Sequence, residues 1–234
     1  IALFSILKNL NKKTAFIRKK YDSFQDEVNL LKLVGPVYEN KKRINALNDA
    51  IKNNTEIAIL DDGLQDFSIK KDLSIICFNE KQWIGNGFVI PAGPLREDLS
   101  ALSRANCVII NGKKNINIED KILKKNNKTR IFYTKYKAQN IEEFKNDKII
   151  AFAGIGNPNN FFDLLKSNNI NIIENISFPD HYNYSVKELE NLIYKAKKKN
   201  AILLTIEKDF LRVDENYRKN IKSLKIIIEI ENKD

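Results

Sequence analysis

Short apolar runs alternate with amphipathic stretches of helical length along most of the chain, the pattern of an α/β fold on a mostly parallel sheet. Residues 1–10 are apolar at positions 1, 3, 4, 6, 7 and 10, one face of a helix. Residues 14–17 read as a strand, 26–33 as a helix, 34–38 as a strand and 42–52 as a helix. Residues 57–60 read as a fully buried strand, and 73–78 and 107–110 as further strands. Residues 111–147 are charged and weakly periodic, ending in an extended connector near 131–136. The alternation then restarts: strands over 148–153, 171–176, 201–206 and 224–230, and helices over 159–167 and 185–199. The spacing predicts two domains, 1–140 and 141–234, the second a smaller α/β domain.

Composition narrows the class. With 43% apolar and 9% aromatic residues, the 234-residue chain can bury a core, so wholesale disorder is excluded. No apolar run approaches the roughly 18 residues that cross a bilayer as a helix. Two cysteines, Cys77 and Cys107, lie inside apolar runs and read as reduced core thiols, which argues against a disulfide framework or a zinc site. The net charge of +10 comes with only seven Arg, and Asn is nearly as common as Lys. That bias reads as nucleotide composition and a solvated surface. Nucleic-acid binding, which favours Arg interleaved with aromatics, is not expected. Attraction of residues 113–137 to an anionic membrane or a phosphorylated ligand is the lesser reading. The chain opens on Ile1 and contains no Met, so further sequence is expected upstream.

Chemistry concentrates at strand ends. Residues 57–60 deliver Asp61 and Asp62 to a C-terminal strand edge, followed by Gly63, Leu64 and Gln65. Ligands bind at that edge in open α/β sheets. Adjacent carboxylates repel unless a cation is near, and Mg²⁺ is typically held by one or two of them. The arrangement looks like the metal-handling motif of a P-loop kinase, although a plain strand-to-turn boundary has the same residues. The matching G-x-x-x-x-G-K-[ST] loop does not occur: no Gly precedes Gly35.

Further motifs follow in order. Gly85-Asn86-Gly87 and Pro91-Ala92-Gly93-Pro94-Leu95-Arg96-Glu97 mark a long shaped loop, with Arg96 suited to phosphate and Glu97 to a metal or to Arg96. Asp26-Glu27 open a helix and read as caps when taken alone. Phe178-Pro179-Asp180-His181-Tyr182 carries the only His of the chain, and Glu207-Lys208-Asp209 follows another strand. Gly154-Ile155-Gly156-Asn157-Pro158 reads as a tight strand-to-helix turn rather than a phosphate cradle, since it lacks a third Gly and a Lys.

Taken together, Asp61 to Gln65, Gly85 to Gly87 with Pro91 to Glu97, Phe152 to Pro158 with Phe161-Phe162, Phe178 to Tyr182, and Glu207 to Asp209 resemble the tetraacyldisaccharide 4'-kinase family across residues 1–213. The resemblance implies a P-loop-kinase-like parallel-sheet domain, a smaller C-terminal α/β domain and a two-stranded linker. It implies transfer of the ATP γ-phosphate to the 4'-hydroxyl of an acylated glucosamine disaccharide 1-phosphate, giving lipid IVA in lipid A biosynthesis. Mg²⁺ would assist, at the cytoplasmic face of the inner membrane of a Gram-negative cell. The family's N-terminal apolar anchor helix is not among residues 1–234.

By position, the resemblance makes Asp26 the base for the sugar hydroxyl and His181 its partner. Asp61 and Asp62 become metal and catalytic carboxylates, with Glu97 and Glu27 as further metal contacts. Arg96 and Glu97 fall on the nucleotide side, and Arg43, Gln65 and Asn86 on the substrate side. Three departures touch the substrate loops: Lys19-Lys20-Tyr21-Asp22-Ser23 in place of Arg-Gly-Tyr-Gly-Gly, Gln25 for a Gly, and Asp66 for a His. Without a phosphate loop the β- and γ-phosphates have no cradle, so residues 1–234 alone are expected not to turn over ATP. The alternatives are a non-catalytic lipid-disaccharide-binding protein and a Mg²⁺-dependent phosphohydrolase using Asp61, Asp62 and His181.

Overall fold

The computed structural model describes residues 1–21 and 25–231. In chain order the elements are α1 (Ala2–Asn9), β1 (Thr14–Lys19), α2 (Gln25–Lys32), β2 (Val37–Asn40), α3 (Arg43–Lys52) and β3 (Ile57–Leu60). There follow β4 (Ile75–Asn79), β5 (Cys107–Asn111), α4 (Ile116–Lys125) and β6 (Arg130–Ala138). The chain continues through β7 (Lys148–Ala153), α5 (Pro158–Ser167), β8 (Asn171–Ser177), α6 (Val186–Lys198) and β9 (Ile202–Ile206). It ends with α7 (Glu207–Arg212), α8 (Glu215–Arg218), β10 (Lys222–Leu224) and β11 (Ile226–Glu231). The class is α/β with mostly parallel sheets, as the alternation requires.

Packing divides the chain into two compact units. One comprises residues 1–61 and 137–227; the other comprises 62–136 and the chain from Ile228 onward. The first unit holds two sheets. In the order β2-β1-β3 all pairs are parallel, with Phe16 opposite Val37 and Ile59. Period-2 alternation sends Ala15 and Ile17 against Ala46 and Ala50 of α3. On the opposite face Phe16 stacks on Phe4 of α1, ring centroids 4.9 Å apart. Phe4 in turn lies so close to Gly35 that a Cβ there would meet its ring at 2.1 Å.

The second sheet of this unit has the order β10-β9-β7-β8, again parallel. Ile149, Ala151 and Ala153 face Phe161, Phe162 and Leu165 of α5, whereas Ile150 and Phe152 face Leu189, Leu192 and Ile193 of α6. Both faces are covered over the central strands β7 and β9, which is why these two read as near-continuous apolar runs, whereas the edge strand β8 alternates. In the other unit β4, β5 and β6 pair in parallel, β11 adds at the β6 edge, and α4 covers one face through Ile118 and Ile122.

Four expectations change. Strand β3 is half-buried rather than fully buried, because it lies at the end of the order β2-β1-β3 while β1 takes the centre. The weakly periodic region contains α4, and the extended connector is the nine-residue β6. The single strand foreseen over 224–230 is two, broken at Lys225, in different sheets. Cys77 is exposed and Cys107 half-buried, both as free thiols, because they lie on the outer side of alternating strands rather than in the core.

Candidate active site

Asp26 and Glu27 occupy the first turn of α2, where a carboxylate ordinarily caps the helix. Asp26 instead turns inward and is only 8% exposed. Its Oδ2 lies 3.4 Å from His181 Nδ1 and 3.5 Å from Arg212 Nε. His181 follows β8 in a left-handed backbone conformation, φ +56°, uncommon for a residue with a Cβ. Its N–H donates to the Gly154 carbonyl at 3.1 Å and to Asp180 Oδ1 at 3.0 Å, which holds that conformation. The sharp turn at Gly154 is the tight strand-to-helix connection expected there.

Glu27 accepts from Arg18 Nη2 at 2.9 Å and from Lys208 Nζ at 3.1 Å. Burial raises its carboxyl pKa, but hydrogen bonds and charge from Lys208 and Arg18 outweigh that, and the net shift is downward from 4.5. The Lys208 ammonium also lies 3.4 Å from His181 Nε2. Arg18, at the C-terminal end of β1 with its side chain 9% exposed, pairs through Nε with Asp61 Oδ2 at 2.9 Å. One buried guanidinium thus joins the helix carrying Asp26 to the carboxylate at the end of β3. Arg43, buried at the start of α3, donates from Nη2 to the Asp61 carbonyl at 2.8 Å, a contact that supports the strand end.

The other unit holds the remaining candidates. Asp62, φ +54°, forms an ion pair with Arg96 in which both side chains are more than half exposed. Glu97 pairs with Arg104 Nη2 at 2.6 Å. Asn86 shapes its own loop, donating to the Ala92 carbonyl at 2.8 Å and accepting from the Phe88 N–H at 3.2 Å. Gln65 is exposed. Of the substrate-loop departures, Asp66 accepts from the Ser68 N–H at 3.0 Å, whereas Asp22 and Ser23 lie outside the described residues.

Among the described residues no three His, Cys, Asp or Glu side chains gather as a metal site. The donor set bears on Mg²⁺ residue by residue. Glu27 and Glu97 are engaged by cations, whereas Asp61 has one oxygen on Arg18 and stands at a strand end with its side chain 43% exposed. A Mg²⁺ that keeps waters and takes phosphate oxygens needs only one or two carboxylates, and Asp61 fits that demand.

Two residues lie beyond the sequence reading, Arg18 and Arg212, while Asp209 stands in the Glu207-Lys208-Asp209 motif without a role assigned to it. Arg18 carried a signal, the first of three consecutive basic residues and the one inside the buried part of the strand, at the ligand-binding edge. Arg212 and Asp209 carried a weaker one, opposite charges three apart on a short helix.

The family model for Tetraacyldisaccharide-1-P 4'-kinase matches residues 11–234. The chain is similar to the tetraacyldisaccharide 4'-kinase of Pelagibacter ubique (strain HTCC1062), 44% identical over 223 residues, 94% of this chain and 71% of that protein. It is 38% identical over 212 residues to the Rickettsia akari (strain Hartford) protein of the same name, covering 89% of this chain and 63% of the relative. For Rickettsia bellii (strain OSU 85-389) the figures are 36% over 210 residues, 88% and 64%. The chain therefore spans between 63% and 71% of the length of these relatives.

Proposed function

The chain belongs to the tetraacyldisaccharide 4'-kinase family, and from that premise we propose that the whole protein transfers the γ-phosphate of ATP to the 4'-hydroxyl of an acylated glucosamine disaccharide 1-phosphate, giving lipid IVA. The observation that carries this reading is the approach of His181 Nδ1 to within 3.4 Å of Asp26 Oδ2, two groups far apart in the sequence. A buried carboxylate beside an imidazole is suited to accept a hydroxyl proton as the oxygen attacks phosphorus. Asp26 takes the proton in this scheme. His181 orients the carboxylate from one side, and Lys208 crowds the far ring nitrogen.

Phosphoryl transfer asks for positioning and charge neutralisation more than covalent chemistry. Arg18 supplies a fixed positive charge between Asp61 and Glu27. When bound, Mg²⁺ would neutralise charge on the phosphates; Asp61 would hold it, and Glu27, in the same compact unit, is a further candidate once freed from its cations. Arg96 and Glu97 are assigned to the nucleotide side, and Arg43, Gln65 and Asn86 to the substrate side. Residues 1–140 are assigned to nucleotide and metal handling, and 141–234 to completing the acceptor cleft.

The acceptor is a lipid, so the reaction is placed at the cytoplasmic face of the inner membrane, with peripheral attachment. Among the described residues no helix is long and apolar enough to cross a membrane.

The test incubates the full-length protein with γ-labelled ATP, Mg²⁺ and the disaccharide 1-phosphate, and locates the new phosphate by ³¹P NMR. Label at the 4'-position supports the proposal. Phosphate release without nucleotide would instead mark a phosphohydrolase, and tight acceptor binding without transfer a binding protein. Residues 1–234 alone, with no Gly-Lys phosphate loop among them, are expected to show no ATP-dependent transfer.

A further inference from the structure

The carboxylate proposed as the base has a second charged partner, and the partner is built in. Arg212 ends α7 with its side chain 7% exposed, and its Nε faces Asp26 Oδ2 at 3.5 Å. Its other donors are committed. Nη2 donates to the Gly154 carbonyl at 2.7 Å and pairs with the Asp209 carboxylate, and Nη1 reaches the Tyr182 carbonyl at 3.5 Å. Asp209 is itself fully buried and fixed by the Gly154 N–H at 3.0 Å and the Tyr184 hydroxyl at 2.9 Å. Burial is the largest influence on Asp209 and pushes its carboxyl pKa up, while these donors oppose it. There is no slack around Gly154: a Cβ would meet the Tyr184 hydroxyl at 2.9 Å and the Pro179 carbonyl at 3.1 Å.

The same Gly154 carbonyl accepts the His181 N–H, so a single buried assembly sets both partners of Asp26. The contacts to Asp26 are long. Asp26 Oδ2 and Arg212 Nε are both buried, and neither makes a hydrogen bond among the described residues. Arg212 therefore holds this carboxylate oxygen by charge at 3.5 Å rather than through a hydrogen bond.

We propose that Arg212, fixed by Asp209, Gly154 and Tyr182, is a positioning residue for Asp26: its fixed charge holds Oδ2 and so sets the orientation in which the carboxylate meets the acceptor hydroxyl. The proposal rests on the kinase reading for its catalytic consequence but not for the pairing itself.

A double-mutant cycle in the full-length enzyme tests the consequence. Arg212→Gln should lower kcat by about 10- to 100-fold, the range for losing a contact to a charged group, with KM for ATP within about twofold. In an Asp26→Asn background the same substitution should cost nothing further, because Arg212 acts through Asp26. Additive losses, or an unchanged kcat in Arg212→Gln, would overturn the proposal.

Pairing is read separately from catalysis by ¹H–¹⁵N NMR of the arginine Nε–H signals, of which the chain has only seven. Asp26→Asn should shift the Arg212 signal, whereas Glu215→Gln, beside Arg218, should leave it in place. An Arg212 signal indifferent to Asp26→Asn would also overturn the proposal. If the wild-type enzyme transfers no phosphate while the NMR response is present, the kinase reading fails and the pairing stands.

Discussion

Glu27 shows how much the surroundings of a single carboxylate decide. By position it is an ordinary first-turn acid of α2; by contact it is the acceptor for Arg18 and Lys208. Its lowered pKa makes a stability statement. A depressed folded-state value contributes stability that is present above the unfolded value of 4.5 and lost as pH falls through the folded one. Asp209 runs the other way, since its raised value withdraws stability as pH climbs from 3.8 through the folded value. Thermal unfolding of Glu27→Gln beside the wild type, from about pH 7 down to about pH 3, should therefore show the variant less stable near neutrality. The gap should close in acid, and a constant gap would mean that Glu27 is not held by charge. Arg18 belongs to the same scale: it is the buried member of its pairs, while Glu27 and Asp61 are partly exposed and Glu27 keeps Lys208.

At the scale of elements, the sheet flanked by α5 and α6 was legible in the sequence. Its central strands β7 and β9 are apolar runs and its helices have clean apolar stripes. The signals agree with the caps. Ser185 accepts from the Glu188 N–H while the Glu188 carboxylate accepts from the Ser185 N–H, a capping box that starts α6. Ser185→Ala should lower unfolding free energy by about 0.5–2 kcal/mol in a urea titration with an unchanged slope. No loss would mean that burial of Leu189, Leu192 and Ile193 alone fixes the helix start.

Helix α4 was not legible because its two buried residues, Ile118 and Ile122, are diluted by Lys and Asn and make only one turn of stripe. Strands β10 and β11 merged in the sequence because a single residue, Lys225, separates them. The half-burial of β3 depends on sheet order, which an apolar run does not encode.

For the whole molecule, the site was partly legible for the same reason. Asp26, His181, Asp61 and Asp62 stand in motifs with recognisable spacing. Arg18 and Arg212 acquire meaning only when α2, α7 and the loops after β7 and β8 meet within one compact unit. Family membership rests on a match over residues 11–234, while activity is proposed from the cluster around Asp26. The most direct measurement is the turnover of full-length Asp26→Asn, with its affinity for ATP determined in parallel. If Asp26 is the base, kcat falls by about a hundredfold or more while ATP binds as in the wild type. Wild-type turnover in Asp26→Asn would contradict the account.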